Sequence, residues 1–140
     1  MPKESYSEFE CYVYLLSKAH QKGHGLVQKR LLPYGLTNVQ YVVLELLWHE
    51  KGLTAGEIGK LLVIDQATLS GVLDRMIDSK WLIRRQNKSD KRMFRLYPSK
   101  KATRLKKKLV EERRDANKEL LVDFTKEERI VLRRLLLALL

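Results

Sequence analysis

Residues 53–76 read LTAGEIGKLLVIDQATLSGVLDRM, a pattern that predicts two short helices joined by a tight turn. Thr54 followed three residues later by Glu57 is a capping box, so we expect a helix from there to Leu62. Asp65 is a favourable N-cap residue and predicts a second helix that ends near Ser79. The apolar residues of this second helix recur at the helical period and are expected to face a core. They are Leu69, Val72, Leu73 and Met76.

The segment that follows changes to the pattern of β-strands. Residues 81–85 and 93–97 are short, bulky and β-prone, and the polar stretch 87–90 between them predicts a hairpin turn. Two short helices followed by a hairpin with a basic tip predict a winged helix-turn-helix, in which the hairpin is the wing. The second helix begins with small or hydrogen-bonding side chains, which would let it enter the major groove of duplex DNA. These are Gln66, Ala67, Thr68, Ser70 and Gly71.

Helix-start signals also flank this central unit. The helices that they predict are Ser7 (with Glu10) to about Leu32, Thr37 (with Gln40) to about Trp48, Ser99 to about Val122, and Thr125 (with Glu128) to Leu140. Gly23 and Gly25 are candidate kink positions in the first of them. We therefore predict one mainly α domain, 1–140, with a small β-hairpin wing. Residues 33–98 would form the winged helix-turn-helix lobe, and 1–32 and 99–140 the flanking helices.

The net charge of +11 is concentrated in one stretch. Residues 80–108 contain thirteen Lys or Arg and one acid, Asp90, a net +12, whereas the rest of the chain holds fifteen basic and sixteen acidic residues, a net −1. A field this concentrated attracts a polyanion, with nucleic acid first and an anionic membrane surface second. No apolar run approaches the roughly 20 residues that span a bilayer, so we expect nucleic acid and no membrane partner.

The composition excludes several other classes of protein. One cysteine, Cys11, rules out an internal disulfide framework and a Cys-cluster zinc site. The N-terminal residues lack the apolar core of a signal peptide, which favours a cytoplasmic protein. There is no Gly-rich phosphate loop, HExxH or GxSxG, so we expect neither an enzyme nor a cofactor.

Three stretches resemble the MarR family of bacterial and archaeal transcription regulators. They are residues 53–62, residues 64–76, and Asp90-Lys91-Arg92 with Leu96 to Ala102, the last similar to the family's wing motif and the start of the next helix. The chain departs from the family pattern at three places. Pro98-Ser99 replaces Leu-Thr, Ala102 replaces Gly, and Lys80-Trp81 replaces the Gly-Leu that usually ends the recognition helix, where a left-handed C-cap favours Gly.

The resemblance implies an obligate homodimer on an inverted-repeat operator in double-stranded DNA. The first helix and the last two would interlock, and the apolar final helix independently favours a partner. The candidate DNA-binding residues are Gln66, Ala67, Thr68, Ser70, Gly71, Arg75, Arg85, Lys88, Asp90, Lys91 and Arg92. The family pattern implies that Arg92 enters the minor groove. Asp90 then either holds the Arg92 guanidinium or only makes the turn.

The resemblance implies a repressor that is released from DNA by an aromatic anion, by thiol oxidation or by a metal. The first option implies an effector pocket between the dimer helices and the DNA-binding lobe, with His24, Tyr34 and Trp48 as candidates; ordinary core aromatics explain each equally well. Cys11 lies about two residues too early for the family's reactive cysteine, which favours a plain helical cysteine. His20 and His24 have metal-ligand spacing, but a complete site would need carboxylates that the sequence does not place.

A second function class stays open at this point. Winged helices also serve as RNA- or ribosome-binding basic modules. Stacking aromatics exposed on the hairpin would favour RNA, and only Phe94 and Tyr97 lie in its return strand. The sequence therefore favours a dimeric, sequence-specific DNA-binding transcriptional regulator, a repressor relieved by a small aromatic or anionic effector.

Overall fold

A computed structural model describes residues 10–140 and contains, in that part of the chain, six α-helices and one two-stranded antiparallel hairpin. The helices are α1 (Tyr12–Leu31), α2 (Asn38–His49), α3 (Ala55–Leu62), α4 (Gln66–Asp78), α5 (Lys100–Leu120) and α6 (Lys126–Ala138), and the strands are β1 (Leu82–Gln86) and β2 (Phe94–Pro98). A 3-10 turn, Leu32–Tyr34, follows α1. The predicted mainly α fold with a β-hairpin is confirmed.

The chain divides into two compact units. The unit Leu31–Glu111 contains α2, α3, α4, the hairpin and the first half of α5. The other unit holds the described residues up to Arg30 together with Glu112–Leu140, so the division falls inside α5. Fully buried side chains form the core of the unit Leu31–Glu111, and the largest are Trp81, Tyr41, Leu31, Leu36, Leu44, Leu47, Ile58, Leu69 and Met76.

Side-chain caps explain where five of the helices begin. Thr37, Thr54 and Thr125 each form a complete capping box with the residue three positions along. The Asp65 carboxylate accepts a hydrogen bond from the amide three residues later at 2.9 Å, and the Ser99 hydroxyl does the same at 3.1 Å. These contacts satisfy amides that have no partner inside a helix, so all five predicted starts are confirmed.

The predictions for the first helix need correction. Ser7 lies outside the described residues, and the helix begins at Tyr12 rather than at the predicted cap. It then continues without interruption through Gly23 and Gly25, so neither glycine breaks it. The glycines weaken the intrinsic helix propensity, but a 20-residue helix has enough other turns to span them.

The hairpin lies one residue later than the sequence suggests. The sequence predicts that β1 starts at residue 81, but the Trp81 amide donates to the Met76 carbonyl at 2.8 Å and so belongs to the end of α4. β1 therefore begins at Leu82, and it pairs with β2 in a register that sets Arg84 opposite Leu96. Leu96 also pairs with Leu53, just before α3, which ties the wing to the helix-turn-helix.

The end of α4 is a Schellman motif with a lysine in the place that favours glycine. The Trp81 amide bonds to the Met76 carbonyl at 2.8 Å, and the Lys80 amide bonds to the Ile77 carbonyl at 3.0 Å. Lys80 adopts φ +64°, the left-handed conformation that a Cβ disfavours. The Lys101 ammonium donates to the Ser79 carbonyl at 3.2 Å and lies 4.1 Å from the centre of the Trp81 ring.

We expect Lys80→Gly to raise the free energy of unfolding by about 0.5–1 kcal/mol, because glycine adopts this conformation without the Cβ clash and loses only part of that gain in the unfolded chain. Urea unfolding of the two proteins measures the difference. Lys80→Ala is the matched control, since it removes the charge and keeps the strain, and it should leave the midpoint near that of the parent. A lower midpoint for Lys80→Gly would contradict the prediction.

Candidate nucleic-acid interface

Local signals set the angle between α3 and α4. α3 ends at Val63, which adopts φ +53°, and the Ile64 amide then bonds to the Gly59 carbonyl at 3.0 Å. This left-handed turn stops α3 from continuing, and Asp65 starts α4 immediately afterwards. The result is the helix-turn-helix that the sequence predicts.

The exposed side of α4 carries the side chains predicted to read DNA. Ala67, Thr68 and Ser70 are exposed, Gly71 is half-buried, and Arg75 is exposed beside Gly71. The apolar residues of the same helix are buried, as predicted: Leu69, Val72, Leu73 and Met76. The packing therefore holds a face of small polar groups outward. That such residues contact DNA stays a prediction.

Gln66 has a different position from its neighbours on α4. Its side-chain amide lies against Gly59 of α3, so that a Cβ added to Gly59 would collide with the Gln66 Nε2 atom. Glycine at position 59 thus gives the Gln66 side chain room to fold over α3. Gln66 is nevertheless exposed, so it stays accessible to a base while it contacts α3.

The wing presents exposed cations at its tip. Lys88, Lys91 and Arg92 are all exposed, and the Arg92 side chain has 92% of its surface open to solvent. One carboxylate oxygen of Asp90 accepts from the Arg92 backbone amide at 3.0 Å and from the Arg92 Nε at 3.3 Å. The same oxygen contacts both the backbone of the turn and the guanidinium group, so both interpretations of Asp90 stay predictions.

Each aromatic ring of the return strand lies against an arginine. The Arg84 guanidinium is 4.9 Å from the centre of the Phe94 ring, and Arg85 is 5.2 Å from the centre of the Tyr97 ring. Cation–π contacts of this kind hold the arginines against the strand. One guanidinium thus lies near each ring, and Phe94 is still 42% exposed.

Hydrogen bonds at the helix starts lower the pKa of two acids in this region. The Thr68 amide holds the pKa of Asp65 below its ordinary value, and the Thr54 amide does so for Glu57. Each carboxylate therefore stabilises the fold when it is ionised, above its pKa in the unfolded chain. This stabilisation is lost as the pH falls through the lowered pKa of the folded state.

We expect the Asp65→Asn variant to lose less stability than the parent protein between about pH 5 and pH 2, since asparagine is a comparable N-cap that does not titrate. Urea unfolding at several pH values in this range gives the comparison. Identical pH dependence in the two proteins would show that Asp65 does not contribute as proposed.

The three predicted effector residues have different surroundings. His24 is exposed on α1, and its ring centre is 5.8 Å from that of His20. Tyr34 is half-buried in the 3-10 turn. The Trp48 indole nitrogen is buried and has no hydrogen-bond partner among the described residues. The Tyr41 ring lies edge-on to Trp48 at 6.0 Å, and the Lys106 ammonium is 5.9 Å from its ring centre.

The other two sensing options gain nothing from the structure. Cys11 is exposed and directly precedes α1, so the expectation of a cysteine inside the helix is wrong by one residue. Among residues 10–140, no three His, Cys, Asp or Glu side chains are grouped so that they could hold a metal. In the same residues, no helix combines the length and apolarity that a membrane span requires.

Sequence reasoning missed a cavity of about 420 Å³ between α3, α4 and the wing. Ser70 of α4 lines it together with Arg84 and Arg92 of the hairpin. These residues come from separate elements, so no local spacing in the sequence points to them. The wing is brought against α3 by the pairing of Leu96 with Leu53 and by Arg95, which contacts the Gly52 carbonyl and Glu57.

The chain is similar to known transcriptional regulators. A family model described as MarR family matches residues 36–94. The chain is 37% identical over 99 residues to the HTH-type transcriptional regulator TtmR of Methylorubrum extorquens (71% of this chain, 50% of the relative). It is 32% identical over 76 residues to the organic hydroperoxide resistance transcriptional regulator of Bacillus subtilis (54% of this chain, 52% of the relative). The chain thus spans about half the length of the curated relatives it matches.

Solved structures match a larger share of the chain. The reduced form of MarR from E. coli is 27% identical, with a TM-score of 0.82 over 96% of this chain and 99% of the other. A mutant of the same MarR in complex with operator DNA is 26% identical, with a TM-score of 0.86 over 96% of this chain and 97% of the other. The fold is therefore shared over nearly the full length of these proteins.

Proposed function

We propose that this chain, which belongs to the MarR family of winged-helix transcriptional regulators, binds duplex DNA of defined sequence as a homodimer. The observation that carries the proposal is the exposed polar face of α4, held outward by a fully buried apolar face. A helix with small side chains on its outer face fits the major groove, where each base pair displays a distinct set of hydrogen-bonding groups. The complex of a similar MarR with operator DNA supports the same interpretation.

The homodimer is supported by apolar surface that one chain leaves open. α6 has no buried residue, and its exposed apolar side chains are Ile130, Val131, Leu135, Leu136 and Leu137, followed by Leu139 and Leu140. Tyr12 and Val13 at the start of α1 are 78% and 77% exposed. A soluble monomer rarely leaves so many large apolar side chains exposed. A second copy would cover it and would place two copies of α4 on an inverted repeat.

Selection of bound fragments from a random pool of duplexes tests the proposal. We expect an inverted repeat whose half-site centres lie about 10 base pairs apart, one turn of the DNA helix. Thr68→Ala should change the preferred base at one or two positions of each half-site, at a cost of about 1–3 kcal/mol for each base that is no longer bound. A pool without enriched sequences, or a Thr68→Ala variant with the parent's preference, would contradict the proposal.

The rival function, an RNA-binding module, has less support. RNA recognition by a β-hairpin needs aromatic faces on which bases can stack. Arg84 and Arg85 lie against the rings of Phe94 and Tyr97, so these faces are partly occupied. We therefore propose duplex DNA as the polyanion that the basic segment attracts.

We further propose that the protein is a repressor relieved by a small aromatic or anionic effector. Trp48 supports this because a buried donor without an acceptor costs about 1–3 kcal/mol, which an acceptor on a ligand would remove. Lys106, close to the ring, would supply the opposite charge to an aromatic carboxylate.

Benzoate and hydroxybenzoates are suitable probes for this effector. They should release operator DNA from the parent protein, and Trp48→Phe should weaken the response while DNA affinity without ligand stays unchanged. Phenylalanine keeps a six-membered aromatic ring and removes the indole N–H together with the five-membered ring that carries it. An equal response in both proteins would remove Trp48 from the effector site; His24 and Tyr34 would be substituted next by the same design.

A further inference from the structure

In the unit Leu31–Glu111, the end of α4 and the start of α5 both depart from the residue preferences of helix termini. Each departure places positive charge in the same region. α5 has no acid in its first turn and begins with two cations, Lys100 and Lys101. Cations at a helix N-terminus are unfavourable because the aligned peptide dipoles already make that end positive. Lys80 occupies a left-handed position that favours glycine. Lys101 contributes to the fold through the Ser79 carbonyl and the Trp81 ring, whereas the positions of Lys80 and Lys100 cost stability.

The same lysines line one groove of about 610 Å³. The end of α4, β1 and the start of α5 form its walls, and four of its lining residues are cations: Lys80, Arg84, Lys100 and Lys101. No lining residue is acidic. Lys101 is held by the Ser79 carbonyl, but no described carboxylate forms an ion pair with Lys80 or Lys100. The groove therefore has a positive charge that the described part of the protein does not neutralise.

The positive surface continues from the groove along α5. Lys100, Arg104 and Lys107 follow one another at helical spacing and are all exposed. Ala102 and Leu109, on the opposite side of the helix, are fully buried, so the three cations face away from the core. We call Lys80, Lys100, Arg104 and Lys107 the α5 basic stripe. At 1.5 Å per residue, its helical part is about 10 Å long, which matches the axial rise of about three phosphates on one DNA strand.

We propose that the α5 basic stripe binds the sugar–phosphate backbone of DNA that flanks the base pairs contacted by α4. This inference rests on the proposed function. Duplex DNA is favoured over an anionic membrane because Ile77 and Arg84 line both this groove and the cavity beside α4 and the wing, so the two surfaces are continuous. Membrane binding also needs apolar side chains that insert, and the groove has one exposed apolar residue, Ile83, beside its four cations.

The triple variant Lys100→Gln/Arg104→Gln/Lys107→Gln tests the stripe on two duplexes. One duplex is the selected operator alone, and the other carries about ten further base pairs on each side, one helical turn. On the long duplex the slope of log affinity against log salt should decrease by about 0.9 for each phosphate that the variant no longer neutralises. On the short duplex the variant should match the parent. Hydroxyl-radical protection of the flanks should disappear while protection of the operator remains.

The matched control is Lys22→Gln/Lys29→Gln/Lys51→Gln, which removes the same charge from exposed positions outside the stripe. A parent with equal slopes on both duplexes, or a control with the same decrease as the stripe variant, would overturn the inference. Loss of binding to anionic lipid vesicles with DNA binding unchanged would also overturn it, in favour of a membrane. In all these cases the selection of an operator from the random pool would still succeed. The inference about the stripe can therefore fail while the proposed function stands.

Lys80→Gly provides a second test, in which weaker DNA binding cannot be explained by loss of the fold. It should raise the unfolding midpoint, as argued above, and at the same time reduce the salt slope on the long duplex. Higher stability together with weaker DNA binding would show that the charge of Lys80 serves binding and not folding. A higher midpoint with an unchanged slope would remove Lys80 from the stripe.

Discussion

A chain that ends before Arg129 is expected to be recovered as aggregate or as unfolded protein. The truncation removes most of α6, in which every apolar residue from Ile130 to Leu137 is at least partly exposed within one chain. In the proposed dimer these side chains form the interface, so folding and association depend on each other. A soluble, folded, monomeric truncation would contradict the dimer.

A milder full-length variant separates loss of the dimer from loss of the fold. Val131, Leu135 and Leu139 form a stripe at spacing i, i+4, i+8, and Leu135 and Leu139 are 49% and 69% exposed. Leu135→Glu/Leu139→Glu should therefore disturb the packing within one chain only slightly. It would bury unpaired carboxylates in the interface, which should raise the dissociation constant more than about a hundredfold. Analytical ultracentrifugation measures this, with Arg134→Gln as the control on the same helix. A dimer of parental affinity would refute the proposed interface.

Arg92→Ala is expected to weaken operator binding by about 1–3 kcal/mol, since an exposed arginine at the wing tip can enter a narrow minor groove. The role of Asp90 is the sharper question. Removing an acid from a basic surface would by itself tighten DNA binding. If Asp90 holds the guanidinium through the 3.3 Å contact, Asp90→Ala instead weakens binding. It should then have little further effect once Arg92 is already alanine.

Asp90→Asn distinguishes the turn from the ion pair. Asparagine retains the hydrogen bond to the backbone that shapes the turn, but its neutral side chain holds a guanidinium less strongly. Weaker DNA binding by Asp90→Asn would assign Asp90 to positioning Arg92. Equal or tighter binding, or additive effects of Asp90→Ala and Arg92→Ala in the double-mutant cycle, would leave Asp90 as a turn residue. The affinities are measured on the selected operator at constant salt.

The elements that local signals define can be predicted from the sequence. The threonine capping boxes and Asp65 mark helix starts because their hydrogen bonds join residues only three positions apart. The buried and exposed faces of α4 follow from helical periodicity in the same way. The exposure of the small polar residues on the candidate interface is therefore predictable from the sequence alone.

The features that depend on distant residues cannot be predicted in this way. β1 starts one residue late because Trp81 closes α4, an arrangement that the lysine at position 80 conceals in the sequence. The contact of Lys101 with Ser79 and Trp81 joins residues about twenty positions apart and is not encoded by any local spacing. The two cavities likewise form only when the hairpin packs against the helices.

Relative affinity for duplex and single-stranded nucleic acid tests the central claim most directly. The selected operator duplex, a single strand of the same length and base composition without self-complementarity, and an RNA hairpin with the operator sequence in its stem are titrated at several equal salt concentrations. We expect the duplex to bind at least about a thousandfold more tightly, with a log–log salt slope of about −0.9 for each phosphate contacted. Equal affinity for the single strand or the RNA hairpin, or a slope near zero for the duplex, would contradict sequence-specific recognition of duplex DNA by α4 and the wing.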